Sequence, residues 1–84
     1  MTKVLIVDDN PQNLYMLEVV LKAYDFEVIE ASNGQDALDV ARRERPDIIV
    51  SDILMPVMDG FKLCQIWMCD EELSKIPFVF YTAT

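Results

Sequence analysis

In Lys3-Val-Leu-Ile-Val-Asp-Asp9, an unbroken aliphatic run ends abruptly in two acidic residues, and this pattern indicates the fold class. Continuous aliphatic and β-branched runs are typical of strands that are buried on both faces, as in a parallel sheet. Asp9 or Asn10 can cap a helix that has Pro11 in its first turn. A buried strand that leads directly into a helix predicts the first unit of an α/β fold.

The rest of the chain repeats this alternation of strands and helices. The first helix reaches about Tyr24; further strands are predicted at 27–31, 47–51 and 76–81, helices at 35–45 and 60–69, and a loop at 70–75. Pro46 ends the second helix, and Asp59-Gly60 begins the third. Strands that alternate with helices predict a parallel sheet with helices on both faces, in one domain over residues 1–84.

Composition restricts the class of protein. With 52% hydrophobic residues, two Gly and four Pro, the chain is neither collagen-like nor disordered. The apolar stretch at 76–83 is shorter than the roughly 18 residues that span a bilayer, and Pro77 and Thr82 interrupt it. The net charge of −8 argues against a nucleic-acid surface.

The numbers of His and Cys residues exclude further kinds of site. No His is present, which removes His-based metal sites, a His general base and a phosphohistidine in this chain. Two Cys and no obvious secretory leader argue against a disulfide framework. We therefore expect a cytoplasmic location.

Acidic residues follow two of the predicted strands. Asp8 and Asp9 come after the first strand, and Asp52 ends the third. Ligands of open parallel sheets bind beyond the carboxyl ends of the strands, so these carboxylates converge if the two strands are neighbours. Helix capping is the simpler explanation for Asp9 and for Asp8, but no helix directly follows Asp52. Three close negative charges need a cation, and ligands that are all oxygen suit Mg²⁺.

Three motifs in this sequence resemble the receiver domain of two-component response regulators. They are Val4-Leu-Ile-Val-Asp-Asp9, Asp52-Ile-Leu-Met-Pro-Val-Met-Asp-Gly60 and Pro77-Phe-Val-Phe-Tyr-Thr-Ala83. The spacing of Asp9, Asp52 and Thr82 fits that family, and the resemblance extends over the whole chain. It implies a flavodoxin-like (CheY-like) parallel sheet with the strand order 2-1-3-4.

The resemblance also implies the roles of individual residues. Asp52 would be the phosphoacceptor for the phosphohistidine of a histidine kinase or phosphotransfer protein. Asp9, Asp52 and the backbone carbonyl of Leu54 would bind Mg²⁺. Asp8 would act through a metal-bound water, and Thr82 would be a switch residue. Such a domain is a signalling phosphoacceptor and not an enzyme, with at most Mg-dependent self-phosphorylation and dephosphorylation.

The family pattern includes elements that we do not find in a sequence ending at Thr84. These are a fourth helix, a fifth strand whose terminal Lys pairs with the phosphoryl group, and a fifth helix. On this interpretation residues 1–84 form a single, incomplete receiver domain with only four strands and three helices. We then expect Asp52 to accept phosphate slowly or not at all, since a cation is lost from an electrostatic site.

Two apolar surfaces lack a partner on the same interpretation. Met16, Val20 and Ala23 form a second apolar stripe on the first helix, unless that helix has one wide core stripe. The sheet-facing stripe is Leu14, Leu17, Leu21 and Tyr24. The strand at 77–81 becomes an unprotected sheet edge. We therefore expect a homodimer or higher oligomer through the first helix and the fourth strand.

The third helix carries a tryptophan and both cysteines. We predict core packing for Trp67, although a contact surface with Ile66 and Met68 is the alternative. Cys64 and Cys69 are five residues apart and do not share a helical face, so we expect two separate buried thiols.

Other functions fit the sequence less well. The main alternative is a non-phosphorylatable structural or interaction fragment of a receiver domain that oligomerises. A phosphohydrolase with an Asp nucleophile is disfavoured, because that class has Asp-x-Asp after its first strand whereas Asp8 and Asp9 are adjacent. Flavin binding is disfavoured because no Ser/Thr-rich loop follows the first strand.

Overall fold

The computed structural model describes residues 1–55 and 58–81. Strands and helices alternate along the chain: β1 (Lys3–Val7), α1 (Pro11–Ala23), β2 (Glu27–Ala31), α2 (Gly34–Glu44), β3 (Ile48–Asp52), α3 (Gly60–Cys69), a 3₁₀ turn (Leu73–Lys75) and β4 (Phe78–Tyr81). The predicted alternation is confirmed. Over the described ranges, no helix is both long and apolar enough to cross a membrane.

The four strands form one parallel sheet in the order β2-β1-β3-β4, which confirms the predicted flavodoxin-like arrangement. β1 lies in the middle, and its residues from Val4 to Val7 are buried, as their aliphatic run predicts. Val7 is aligned with Ser51 of β3, and Asp52 is aligned with Tyr81 of β4. The carboxyl ends of β1, β3 and β4 therefore lie side by side at one edge of the sheet.

Side-chain caps fix the helix starts that surround this edge. The Asn10 side chain accepts a hydrogen bond of 2.9 Å from the amide of Gln12, so Asn10 and not Asp9 caps α1. The Asp59 side chain accepts one of 2.8 Å from the amide of Lys62 at the start of α3. Asp9 is thereby left without the capping role that was its simplest explanation.

One face of the sheet, with α2 and α3, forms the buried core. Trp67 is fully buried, its Nε1–H donates a hydrogen bond of 3.1 Å to the carbonyl of Ile76, and its ring meets that of Phe78 edge-on at 5.7 Å. Core packing of Trp67 is thus confirmed. The prediction of two buried thiols is wrong: Cys64 is half-buried and Cys69 is exposed, because α3 directs Leu63 and Trp67 into the core instead.

The segment between α3 and β4 is more ordered than the predicted loop. It contains the 3₁₀ turn, whose Leu73 is buried, and β4 begins at Phe78 rather than at residue 76. The carbonyl of Pro77 nevertheless accepts a hydrogen bond of 3.0 Å from the amide of Ile49. Pro77 therefore joins the sheet through its acceptor alone.

The opposite face of the sheet is covered thinly by α1. No residue of α1 is buried in the described part of the chain. The predicted second apolar stripe is confirmed as exposed, with Met16 and Val20 open to solvent. Tyr24 is 74% exposed and does not belong to the sheet-facing stripe, because it lies just past the end of the helix. Other large exposed apolar side chains of α1 are Tyr15 and Val19.

Candidate functional site

Three carboxylates meet at the carboxyl edge of the sheet. One oxygen from each of Asp8, Asp9 and Asp52 lies within 4.8 Å of the others. Asp8 is buried, Asp52 is partly buried and Asp9 is exposed. The predicted convergence is confirmed, and its cause is the parallel pairing of β1 with β3.

Asp8 is the most enclosed of the three. One oxygen, Oδ1, accepts a hydrogen bond of 2.9 Å from the amide of Asn10. The other, Oδ2, accepts one of 3.0 Å from Nδ2 of Asn13 and a further one from the hydroxyl of Tyr81. An ionised carboxylate has about four acceptor positions, so Asp8 has little capacity left for a direct cation contact.

Asp52 is held by the backbone that follows it. Its Oδ1 accepts a hydrogen bond of 2.8 Å from the amide of Ile53. The amide of Gly60 in turn donates one of 2.7 Å to the carbonyl of Ile53, which ties the start of α3 to the end of β3. The Ser51 hydroxyl donates one of 2.9 Å to the carbonyl of Asp52. These bonds fix the backbone of Asp52 while its side chain stays partly accessible.

The electrostatics of the cluster favour an added cation. Partial burial raises the pKa of Asp52 above its ordinary value, and the negative charge of Asp8 raises it further. The amides of Ile53 and Leu54 oppose this rise in pKa, while the charge of Asp9 adds a smaller increase. Ionisation of Asp52 therefore costs more free energy in this cluster than in water, and a cation beside it would lower that cost.

Tyr81 is a member of this site that sequence reasoning did not single out. It is the last residue of β4 and is aligned with Asp52, which brings its hydroxyl to Asp8. Burial raises the pKa of the Tyr81 phenol, and the hydrogen bond to the Asp8 carboxylate raises it further. The phenol is thus a hydrogen-bond donor at neutral pH. Its position in the motif before Thr82 was the only sequence signal that could have identified it.

Two other predicted site residues have different outcomes. Leu54 lies two residues after Asp52, at the same edge of the sheet. Its side chain is 80% exposed, and the role predicted for its backbone carbonyl stays a prediction. Thr82, the predicted switch residue, lies outside the described residues.

The donor set matches the chemistry of a hard divalent cation. All side-chain ligands in the cluster are carboxylate oxygens, and Mg²⁺ in proteins is held by one or two carboxylates together with waters. Asp9 and Asp52 are the more accessible members and could contact the ion directly. Asp8, whose oxygens are already occupied, is suited to a contact through water.

Comparison with known proteins assigns a family to this arrangement. The model of the response regulator receiver domain matches residues 4–84. Protein PilH of Pseudomonas aeruginosa is 39% identical over 82 residues, which are 98% of this chain and 68% of PilH. Response regulator PleD of Caulobacter vibrioides is 43% identical over 81 residues, but the match covers 18% of that protein. The chain therefore spans only part of the length of these relatives.

Solved structures agree with the same family. The N-terminal domain of a response regulator receiver protein from Methanoculleus marisnigri has a TM-score of 0.96 at 27% identity, over 100% of this chain and 68% of that one. The receiver domain of the sensor histidine kinase PA1611 from Pseudomonas aeruginosa, solved with a magnesium ion in its active-site cleft, has a TM-score of 0.88 at 29% identity. That match covers 94% of this chain and 65% of the other. This chain belongs to the response regulator receiver domain family of two-component signalling.

Proposed function

We propose that this chain is a phosphoacceptor module, in which Asp52 receives a phosphoryl group from the phosphohistidine of a histidine kinase or phosphotransfer protein. Mg²⁺ would be held by Asp9, Asp52 and the backbone carbonyl of Leu54, with Asp8 acting through a water. The observation that carries the proposal is the cluster of three carboxylates at one edge of the sheet. A structural fragment that only oligomerises has no need of such a cluster.

The chemistry of the proposed step is a simple displacement. An oxygen of Asp52 attacks the phosphorus atom, so that a P–O bond forms while the P–N bond to the donor imidazole breaks. The electron pair of the broken bond returns to the imidazole nitrogen, which takes up a proton from water. The product is an acyl phosphate on Asp52. A bound divalent cation supplies positive charge for the phosphoryl oxygens during this step.

The chain's own residues prepare Asp52 for this step. The amide of Ile53 orients the carboxylate through Oδ1, and the contact between Gly60 and Ile53 fixes the backbone beneath it. Positioning of this kind supplies much of the catalysis in phosphoryl transfer. We infer a signalling phosphoacceptor rather than an enzyme that turns over a separate substrate.

Incubation with phosphoramidate or acetyl phosphate and Mg²⁺, followed by intact-mass measurement, tests the proposal. We expect the mass of one phosphoryl group to appear on the wild-type chain and to be absent from Asp52→Asn. Asp39→Asn, which changes an exposed acid on α2, is the matched control and should be labelled like the wild type. Complete absence of label from the wild type would favour the non-phosphorylatable alternative. The expectation that Asp52 accepts phosphate slowly or not at all stays a prediction, which the time course of labelling tests.

We further propose that a second copy of the chain covers the two exposed apolar surfaces, one on α1 and one on β4. Support comes from Met16 and Val20 on α1 and from Val79 on β4, all of which are exposed, and from the edge position of β4 among the described strands. A strand edge can pair with its own copy about a two-fold axis, which satisfies unpaired backbone groups in both chains. The net charge of −8 opposes association, so added salt should strengthen the dimer.

Sedimentation velocity tests this second proposal. The wild type should sediment as a dimer or larger at high micromolar concentration, and Val20→Glu with Val79→Lys should yield monomers. Leu17 is a poorer site for the charge, because it is half-buried and its replacement would disturb packing. Gln65→Glu, an exposed change on α3, should leave the dimer intact. A folded wild-type monomer under these conditions would refute the proposal.

A further inference from the structure

Tyr81 and Asp8 are 73 residues apart in the sequence, yet the Tyr81 hydroxyl donates a hydrogen bond to Oδ2 of Asp8. The sheet register produces this contact. Val7 is aligned with Ser51, so the next residues, Asp8 and Asp52, follow at the same level, and Tyr81 is aligned with Asp52. The phenol thus reaches across the end of β3 to the carboxylate that follows β1.

The contact completes the hydrogen bonding of a fully buried carboxylate. The described residues place no cation within ion-pair distance of Asp8; its donors are the Asn10 amide, the Asn13 side chain and the Tyr81 hydroxyl. Of these three donors, Tyr81 alone belongs to β4, which β3 separates from β1; the other two follow β1 directly in the sequence. An aliphatic residue at position 81 would leave Oδ2 of Asp8 with Asn13 as its single hydrogen-bond donor, and no donor would face it from β4.

We propose that Tyr81 is a positioning residue for the divalent-cation site, whose hydroxyl holds the Asp8 carboxylate in the orientation that the cation requires. The inference rests on the proposed function, because it assumes that this cluster binds Mg²⁺. A neutral donor also disperses the charge of Asp8 without bringing a competing cation into the cluster. Hydrogen-bond partners of direct metal ligands typically change metal affinity by about 10–100-fold when they are removed, and because Asp8 is proposed to act through a water, we expect the lower end of that range.

The test is the variant Tyr81→Phe, which removes the hydroxyl and keeps the ring. We expect Mg²⁺ affinity, measured by calorimetry, and Mn²⁺ affinity, measured by electron paramagnetic resonance, to fall by about 10-fold. Tyr24→Phe is the matched control, because Tyr24 is exposed beyond the far end of α1 and its hydroxyl loss should leave both affinities unchanged. Circular dichroism should show that both variants are folded.

A readout without metal checks the contact itself. A phenol that is held by a buried carboxylate should give a slowly exchanging, downfield hydroxyl proton in the NMR spectrum of the metal-free wild type, and Tyr81→Phe should lack this signal. In an Asp8→Asn background, Tyr81→Phe should have much less further effect on cation affinity, because the two residues act together.

The possible failures are distinguishable. If the wild type binds cation but Tyr81→Phe binds it equally well, or loses only thermal stability, Tyr81 has a structural role alone and the inference is overturned. Absence of the hydroxyl proton signal from the wild type would overturn it as well. If the wild type binds no divalent cation, the metal part of the proposed function fails, and the inference fails with it.

Discussion

Gly60 packs against the backbone carbonyl of Asp52 so closely that a Cβ at position 60 would overlap the oxygen. The same Cβ would lie 2.9 Å from the Cα of Ile53. Both neighbours are backbone atoms, so neither can move aside by a change of rotamer. The start of α3 and the candidate phosphoacceptor are thus in direct contact.

Replacement of Gly60 by Ala should lower the free energy of unfolding by about 1–3 kcal/mol, because the methyl group forces the backbone of Asp52 and Ile53 to shift. Urea unfolding followed by the fluorescence of Trp67 measures the loss. Gly34→Ala is the control, since the Cβ added there meets the flexible side chain of Met58. If both variants lose the same free energy of unfolding, the overlap with the backbone of Asp52 destabilises the fold no more than the overlap with the Met58 side chain does.

If Mg²⁺ binds the folded cluster as proposed, it should raise the melting temperature, because it would relieve repulsion among the three carboxylates. At a concentration about 100-fold above the dissociation constant, the gain is about 2.7 kcal/mol. Asp9→Ala and Asp52→Ala should each abolish the shift in a thermal-melt assay, and Asp39→Ala should retain it. A shift that persists in both cluster variants would place the cation elsewhere.

Asp52→Asn should stabilise the metal-free protein at pH 7. The pKa of Asp52 is raised in the folded state, so its ionisation destabilises the fold as the pH rises through that raised value. Below the ordinary pKa of about 3.9, the side chain is neutral in both states and the difference should vanish. Urea unfolding in chelator at pH 7 and at about pH 2.5, well below the ordinary pKa, measures both limits. Equal stability of the two proteins at pH 7 would contradict the raised pKa.

Trp67→Ala should destabilise the fold by about 3–5 kcal/mol, because it empties a fully buried site. Trp67→Phe should cost less, since it retains a ring but loses the hydrogen bond to Ile76, which is worth about 1 kcal/mol. Circular dichroism can follow unfolding in both variants. Met68→Ala on the exposed side of the same helix should change stability by less than about 0.5 kcal/mol.

The elements of the fold were predictable from local patterns. The aliphatic run of β1 indicates a buried strand, and the Pro and Gly residues mark helix ends. Each signal affects only the backbone within a few residues, so it can be read directly from the sequence. The acidic residues that follow β1 and end β3 were likewise visible as a candidate site, once parallel pairing was expected. The cysteine prediction failed because helical spacing indicates which residues share a face but not which face is buried.

The order of strands and helices, the acidic edge of the sheet and the family resemblance could be predicted from the sequence alone, because they depend on neighbouring residues and their spacing. The burial of Asp8 beside the exposed Asp9, and the contact between Tyr81 and Asp8, arise only from the packing of the folded chain. Both depend on the register between strands far apart in the chain. A one-residue change of register would turn these side chains to the opposite face of the sheet, and no local pattern specifies that alignment.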